Sequence, residues 1–216
     1  MNLLDGGFVI AAAMAIAYGG WLVWLKPSNL RTLVKAISIG SLALLSYRVG
    51  GPLLLTVALA FSAMGDAFLA NKGDRNFLFG LGSFLLAHLA YTALFVSDAE
   101  FGNGLSFSLH LAVVTVMLVF AAFILRNLWP HLGAMRIPVL CYVAAILAMG
   151  IAATGMVQLL VIVGALMFMA SDIILSYELF VWKEGSRIRQ YSPYFIWGLY
   201  WGGQALIAWS YLNLVQ

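Results

Sequence analysis

Long runs of apolar residues, separated by short groups of glycine, proline, asparagine and charged residues, extend over nearly the whole chain. A helix that crosses a bilayer needs roughly 20 mostly apolar residues. Eight runs meet this requirement, and the short connections force neighbouring helices to be antiparallel. The pattern predicts an all-α polytopic membrane protein with a single domain, residues 1–216, built as a bundle of eight transmembrane helices. The predicted helices cover residues 6–25, 30–47, 52–70, 76–97, 105–125, 135–155, 156–180 and 191–214.

The composition of the chain agrees with this prediction. Hydrophobic residues make up 64% of the 216 positions and charged residues 9%, whereas a soluble domain carries about 25% charged residues. A water-soluble core of this size cannot bury so much apolar surface, so lipid must be the solvent for much of it. The composition therefore excludes a soluble globular protein and makes the lipid bilayer an expected partner.

The basic residues are distributed unevenly between the two ends of the predicted bundle. Ten of the eleven Lys and Arg residues lie in or beside the odd-numbered connections, and Arg48 alone lies beside an even-numbered one. Basic loops remain in the cytoplasm, so the pattern predicts a multi-pass protein of a bacterial inner membrane with both termini outside. Because no basic stripe with interleaved aromatic residues occurs, a nucleic-acid partner is not expected. The pattern leaves the oligomeric state open.

Two carboxylates interrupt predicted membrane-spanning helices, Asp66 in the third and Asp172 in the seventh. A carboxylate at the centre of such a helix costs roughly 2.5–3.5 kcal/mol on insertion scales, so its presence favours a function over a packing role. Both helices run in the same direction, and both carboxylates fall in the half predicted to face the cytoplasm. We therefore expect the two side chains to face one another across the bundle, where neighbouring small residues leave room for a cavity.

Polar side chains on other helices are expected to line the same cavity. His88 shares one face of the fourth helix with Tyr91, where it either transfers protons near neutral pH or is a packing residue. Gln204 either lines the cavity or hydrogen-bonds a partner helix. The serines beside the two carboxylates are interpreted as hydrogen-bonding residues that orient them, not as nucleophiles. The predicted substrate-binding residues are Lys35, Ser62, His88, Tyr91, Ser171, Tyr200 and Gln204.

Metal binding is not expected from this sequence. The three histidines, His88, His110 and His131, fall at different depths and cannot converge, so zinc would depend on one histidine, two aspartates and water. The chain contains no nucleophile elbow, P-loop or dinucleotide-binding fingerprint. We therefore expect neither a metal nor an organic cofactor, and the two carboxylates are left as the groups that carry acid–base chemistry.

Short motifs occur in order on five predicted helices. They are Gly65-Asp66, Gly80-x-x-x-Phe84-x-x-x-His88-x-x-Tyr91, Pro138 with Tyr142, Gly164-x-x-x-Phe168-x-x-Ser171-Asp172, and Tyr200-x-x-x-Gln204. With these motifs the chain resembles the lysoplasmalogenase-like YhhN family of eight-helix membrane proteins. The resemblance extends over nearly the whole chain, and the blocks on the fourth and seventh helices are its most specific part.

The resemblance implies a hydrolase that uses water to cleave the vinyl ether bond of lysoplasmalogens, giving a fatty aldehyde and a glycerophospho-base. It also implies that Asp66 and Asp172 are the catalytic pair. Vinyl ether hydrolysis begins with proton transfer to the enol carbon and passes through an oxocarbenium-like cation, which suits one neutral carboxylic acid and one carboxylate. The residues leave open which aspartate is the acid. The lysophospholipid phosphate would lie near Lys35, Lys72 and Arg75, although Lys35 alternatively extends its amine to the membrane interface.

A proton-coupled transporter or channel is the alternative function, with the two intramembrane aspartates as a proton relay. Transporters often contain helix breaks near the middle of the membrane. The five prolines all lie in predicted loops or near predicted helix ends, which makes a transporter the less favoured prediction. These prolines are Pro27, Pro52, Pro130, Pro138 and Pro193.

Overall fold

The computed structural model describes residues 3–25, 28–70, 73–99 and 107–213. Within these residues the chain forms eight α-helices and no strand, which confirms the predicted all-α class. The α-helices are α1 (Leu3–Gly20), α2 (Asn29–Arg48), α3 (Leu53–Leu69), α4 (Asp74–Asp98), α5 (Phe107–Leu128), α6 (Arg136–Ala153), α7 (Leu159–Phe180) and α8 (Arg187–Asn213). Three short 3-10 helices cover Leu22–Trp24, Trp129–His131 and Gly133–Met135.

Six of these helices, α1, α2, α4, α5, α6 and α7, are long and apolar enough to cross a membrane. Helix α3 is apolar but has 17 residues, and α8, with 27 residues, is not among the six. A helix satisfies its own backbone hydrogen bonds, as a bilayer core requires. The chain is therefore a multi-pass membrane protein, and spanning by α3 and α8 remains a prediction.

The connection between α6 and α7 differs from the predicted turn at residues 154–156. The N–H groups of Thr154, Gly155 and Met156 each bond the carbonyl three residues earlier, which tightens the end of α6. Helix α7 begins only at Leu159, after the carbonyl of Gln158 accepts the first helical hydrogen bonds. The predicted start at residue 156 was therefore three residues too early.

Helix α8 begins at Arg187, four residues before the predicted start, because the Ser186 carbonyl already accepts a hydrogen bond from the Gln190 N–H. Pro193 is therefore the seventh residue of α8 and not the third, as the predicted start implied. Proline has no N–H for the carbonyl four residues earlier. The Ser192 hydroxyl lies 3.3 Å from that carbonyl, of Arg189, but makes its closer contact with the Glu178 carboxylate of α7.

The helices pack mainly in pairs, with the most extensive contacts between α7 and α8, α3 and α4, and α2 and α3. Helix α4 also packs against α6, whereas α5 makes few contacts with its neighbours. A Cβ added at Gly164 of α7 would lie 2.6 Å from the Gly203 carbonyl oxygen of α8, and the reverse distance is the same. The two backbones therefore touch at these glycines, as in small-residue packing between membrane helices.

The outer surface is much more apolar than that of a soluble protein, and the largely hydrophobic core also holds polar groups. The buried residues include charged and polar groups such as Asp66, His88, Asp172 and Gln204. Many large apolar side chains are exposed on the outer surface, for example Leu53 at 72% and Val116 at 66%. Such an exterior is stable in lipid and not in water. The fold thus presents an apolar surface to lipid and holds its polar groups in the interior.

Candidate active site

Asp66 of α3 lies at the centre of one polar cluster. The Lys35 Nζ atom of α2 lies 2.6 Å from Asp66 Oδ1, and the Tyr200 hydroxyl of α8 donates to Asp66 Oδ2 at 2.8 Å. The lysine amine also lies 5.5 Å from the centre of the Tyr200 ring, within the range of a cation–π interaction. Asp66 is 1% exposed, so this buried carboxylate is paired with a partly exposed cation.

Asp172 of α7 lies at the centre of a second cluster, formed with α4 and α6. The Tyr142 hydroxyl donates to Asp172 Oδ2 at 2.9 Å, and the His88 Nε2 atom lies 3.3 Å from the same oxygen. The other ring nitrogen, His88 Nδ1, lies 2.6 Å from the carbonyl oxygen of Phe84, one turn earlier on α4. Asp172 is thus held by a histidine and a tyrosine and contacts neither Lys35 nor Arg31 in the described ion pairs.

Aromatic rings lie beside both clusters. The ring of Phe168 on α7 packs between those of His88 and Tyr200, with centroid distances of 4.6 and 5.3 Å. Phe84 packs against Phe168 and Tyr200 at 6.4 and 5.8 Å. Such apolar walls keep the dielectric constant low, which strengthens electrostatic interactions among the buried polar groups.

Both aspartates line one cavity of about 460 Å³. Its wall also contains Lys35, Arg31 and Glu178, and it extends to residues in the α1–α2 and α3–α4 connections. By the predicted topology this is the cytoplasmic end of the bundle. We call this space the polar cavity, since charged side chains from four helices face it.

A second cavity of about 280 Å³ lies next to the first, among α4, α5, α6 and α7. Its lining is almost entirely hydrophobic, with Met117, Ile124 and Leu166 as examples. Phe84 and Asp172 line both cavities, whereas Asp66 lines only the polar cavity. We call this space the apolar cavity. A molecule with a hydrocarbon chain and a charged head group would fit across the junction between the two.

The structure brings some of the predicted site residues together and separates others. Lys35, Tyr200 and Ser171 line the polar cavity, and His88 contacts Asp172 behind its wall. Tyr91 and Gln204 line neither cavity; the Tyr91 hydroxyl donates to Gln204 Oε1 at 2.8 Å, so they join α4 to α8. Of the two predicted alternatives for Gln204, the structure therefore shows the hydrogen bond to a partner helix and not a position on the cavity wall.

The interpretation of the two serines as residues that orient the aspartates was wrong. The Ser171 hydroxyl donates to the Ile196 carbonyl of α8 at 3.1 Å, because its position on α7 turns it toward the packed helix pair. The Ser62 hydroxyl is buried without a hydrogen-bond partner among the described residues, and its carbonyl oxygen lies 3.3 Å from the Tyr200 hydroxyl, which donates to Asp66. The aspartates are oriented instead by longer side chains from other helices.

Two residues of the site were missed as candidates in the sequence. Tyr142 contacts Asp172, and its place in a family motif was the signal that could have identified it. Arg31 lines the polar cavity and is held by Tyr18 and the Leu25 carbonyl. Arg75 is exposed and lines neither cavity, because it projects from the first turn of α4.

The predicted phosphate contact at Lys72 lies outside the described residues. Within the described part of the chain, no three His, Cys, Asp or Glu side chains are placed to hold a metal ion together. The chemistry available at the junction of the cavities is therefore that of two carboxyl groups, one histidine, two tyrosines and one lysine. These groups can donate and accept protons and can stabilise charge.

Comparison with known proteins supplies a family. The profile of the YhhN family matches residues 30–211. A lysoplasmalogenase of Mycobacterium tuberculosis is 34% identical over 190 residues, covering 79% of this chain and 72% of its own. The lysoplasmalogenase TMEM86A of Bos taurus is 31% identical over 209 residues, with coverages of 88% and 81%.

An uncharacterized membrane protein YhhN of Escherichia coli is 26% identical over 146 residues, 63% of this chain and 66% of its own. No solved structure matches the chain. The family match includes all helices that contribute to the two aspartate clusters, from α2 to α8. With this coverage and the resemblance of its motifs, the chain belongs to the YhhN family.

Proposed function

We propose that this protein is a lysoplasmalogenase that hydrolyses the vinyl ether bond of a lysoplasmalogen, releasing a fatty aldehyde and a glycerophospho-base. Two relatives that align with most of the chain carry the name lysoplasmalogenase. The single observation that carries the proposal is the placement of Asp66 and Asp172 on one cavity that joins an apolar cavity. This arrangement suits a lipid whose reactive bond lies between its hydrocarbon chain and its polar head.

The proposed chemistry needs one proton donor and one stabilising negative charge. Proton transfer to the enol carbon forms an oxocarbenium-like cation, water adds to it, and the resulting hemiacetal collapses to aldehyde and alcohol. Glycosidases handle a transition state of the same character with two carboxyl groups. In this proposal Asp66 and Asp172 are the catalytic pair, and no cofactor takes part.

The substrate is proposed to lie across the junction of the two cavities. The hydrocarbon chain occupies the apolar cavity, where hydrophobic side chains replace lipid. The head group occupies the polar cavity, where Arg31 and Lys35 supply positive charge for the phosphate. The polar cavity reaches the end of the bundle that carries most basic residues, so we propose entry from the cytoplasmic leaflet, with both termini outside a bacterial inner membrane.

The test is aldehyde release from a lysoplasmalogen by the protein purified in detergent. Asp66→Asn and Asp172→Asn should each lower release by at least about 100-fold, the scale on which positioned acids and charges act. Asp98→Asn is the matched control, because Asp98 is an exposed carboxylate that lines neither cavity. It is the last residue of α4, whereas the polar cavity lies at the first turns of that helix. The Asp98→Asn variant should release aldehyde at the wild-type rate.

Wild-type rates of aldehyde release in both site variants, with the thermal unfolding temperature unchanged, would contradict the two-aspartate mechanism. Proton or solute flux through liposomes containing the wild type, without turnover of lysoplasmalogen, would contradict the hydrolase and favour a transporter.

A further inference from the structure

Building on the proposed hydrolysis, we propose that the two aspartates have different roles and that His88 makes Asp172 the proton donor. Asp172 and His88 together hold the proton that is delivered to the substrate. Asp66 remains ionised beside Lys35 and stabilises the cation that forms. His88 is a positioning residue in this scheme, because it acts through Asp172.

The tautomer of His88 follows from its contact with Phe84. His88 Nδ1 lies 2.6 Å from the Phe84 carbonyl oxygen, and a carbonyl oxygen only accepts hydrogen bonds. Nδ1 must therefore carry a hydrogen and donate it. In a neutral imidazole one nitrogen donates and the other accepts, so a neutral His88 has its lone pair at Nε2.

That nitrogen lies close to a carboxylate oxygen, without the alignment of a hydrogen bond. His88 Nε2 lies 3.3 Å from Asp172 Oδ2, and the His88 side chain is fully buried. Two unprotonated acceptors this close repel each other, and a proton on either the nitrogen or the oxygen removes the repulsion. The pair of His88 and Asp172 therefore retains one proton more than a neutral histidine beside an ionised aspartate. This proton is available to a reacting group at Asp172.

Asp66 has the opposite surroundings. Lys35 lies 2.6 Å from one of its oxygens, and the Tyr200 hydroxyl donates to the other. Burial by itself favours the neutral acid, whereas the adjacent cation and the donated hydrogen bond both favour the ionised carboxylate. The partly buried Lys35 amine would in turn lose its counter-charge if Asp66 were neutral. Asp66 is thus the negative charge of the site and not its proton donor.

The positions of the two cavities lead independently to the same division of tasks. In a vinyl ether the carbon that takes the proton lies on the hydrocarbon side, and the carbon that becomes cationic is bonded to the ether oxygen on the head-group side. Asp172 lines both cavities, and Asp66 lines only the polar cavity. With the chain in the apolar cavity, the proton acceptor lies beside Asp172 and the cationic carbon beside Asp66.

The steps balance without another reactant. The pair of Asp172 and His88 gives its proton to the outer vinyl carbon, and the double-bond electrons form the new C–H bond. Water then bonds to the cationic carbon and loses one proton to the pair. The pair finally protonates the glycerol oxygen as the C–O bond breaks, and it regains a proton from the hemiacetal hydroxyl. The products are aldehyde and alcohol, and Asp66 is ionised throughout.

The test compares two matched substitutions by the dependence of kcat/KM on pH. Tyr142→Phe removes a donor from Asp172, and Tyr200→Phe removes the equivalent donor from Asp66. Loss of the Tyr142 bond disfavours the ionised form of the pair. The alkaline limb of the Tyr142→Phe profile should therefore move to higher pH, by about one pH unit for a hydrogen bond to a charged group. The Tyr200→Phe limb should stay at its wild-type position.

The other groups that face this pair set the background of the profile. The charged groups that line the polar cavity with Asp172 are Arg31 and Lys35 on α2, Asp66 on α3, Asp74 on α4 and Glu178 on α7, and the hydroxyls of Tyr18 and Tyr200 line it as well. Neither phenylalanine substitution changes any of these charges. An alkaline limb that moves in Tyr200→Phe, or one that stays in place in Tyr142→Phe, overturns the proposal. A wild type that releases no aldehyde instead refutes the hydrolase function itself.

A second measurement does not depend on activity. In a His110→Gln/His131→Gln variant, His88 is the remaining histidine of the chain, and nitrogen NMR of that variant reports its tautomer. The expected result is a hydrogen on Nδ1 at about pH 7, with Nε2 as the nitrogen that responds to Asp172→Asn. A neutral ring with its hydrogen on Nε2 alone would overturn the proposal, since Asp172 would then simply accept a hydrogen bond.

Discussion

The Asp66 and Asp172 clusters contain the same acidic side chain in two different settings. Asp66 is surrounded by α2 and α8, which supply Lys35 and Tyr200. Asp172 is surrounded by α4 and α6, which supply His88 and Tyr142. Each cluster contains a tyrosine, so the difference lies in the nitrogen-containing side chain, which is Lys35 beside Asp66 and His88 beside Asp172. Neighbouring helices, and not the local sequence, therefore give each carboxyl group its partners, and the proposed difference in protonation follows from these partners.

The largest expected effect is on catalysis, and it should be unequal between the clusters. Asp172→Asn should lower the rate of aldehyde release by about 1,000-fold, within the range that a positioned general acid contributes. Asp66→Asn should lower it by about 100-fold, as for loss of one electrostatic contact to a charged transition state. Steady-state kinetics on both variants checks this ranking. Equal losses, or a larger loss in Asp66→Asn, would remove the distinction between the two aspartates.

The next largest effect is on the stability of the protein and concerns the Asp66 cluster alone. Lys35→Met leaves Asp66 buried without its cation, which should lower the free energy of unfolding by about 3 kcal/mol. Adding Asp66→Asn removes the uncompensated charge, so the double variant should unfold at a higher temperature than Lys35→Met. Thermal unfolding in one detergent measures both. A double variant less stable than Lys35→Met would contradict an ionised Asp66.

A smaller effect is expected from the apolar cavity, which adjoins only the Asp172 cluster. Ala170→Leu adds three carbon atoms to its wall and should lower kcat/KM for a long-chain lysoplasmalogen by about tenfold, since methylene-sized changes in a pocket act on this scale. A short-chain substrate should be less affected. Ala144→Leu, at an exposed position of α6 outside both cavities, is the control. The same loss for both chain lengths would argue against this cavity as the chain site.

The smallest effect is expected at the far end of the polar cavity. Arg31→Gln removes a partly exposed positive charge and should raise KM by no more than about fivefold, because exposed ion pairs contribute little. The value of kcat should remain near that of the wild type. Arg75→Gln provides the comparison, as its side chain is exposed and lines neither cavity. An equal rise of KM in Arg75→Gln would place the phosphate outside the polar cavity.

The sequence was sufficient to predict the helical architecture and the two central carboxylates. Long apolar runs and the cost of a charge within them are local properties, so both can be recognised without knowledge of packing. Asp66 and Asp172 were identified in this way, and the structure places them on one cavity. Helix ends were less accurate at α7 and α8, because single hydrogen bonds at Gln158 and Ser186 determine where those helices begin.

The partners of each carboxylate depend on how the helices pack, and this the sequence alone did not reveal. Ser171 is adjacent to Asp172 in the chain but bonds to α8, while Tyr142, thirty residues away, contacts the carboxylate. Gln204 shares a family motif with Tyr200, yet Gln204 joins α8 to α4 whereas Tyr200 donates to Asp66. Side-chain direction around a helix, not sequence distance, decides which residues meet.

The most direct test of the account is a structure of the protein bound to a saturated ether lysophospholipid, which has the shape of the substrate but no double bond to protonate. The account predicts that the hydrocarbon chain lies in the apolar cavity, with its second carbon beside Asp172 and its ether-linked carbon beside Asp66. The phosphate should lie in the polar cavity, toward Lys35 and Arg31. A chain placed elsewhere, or a second carbon that lies beside Asp66, would contradict the account.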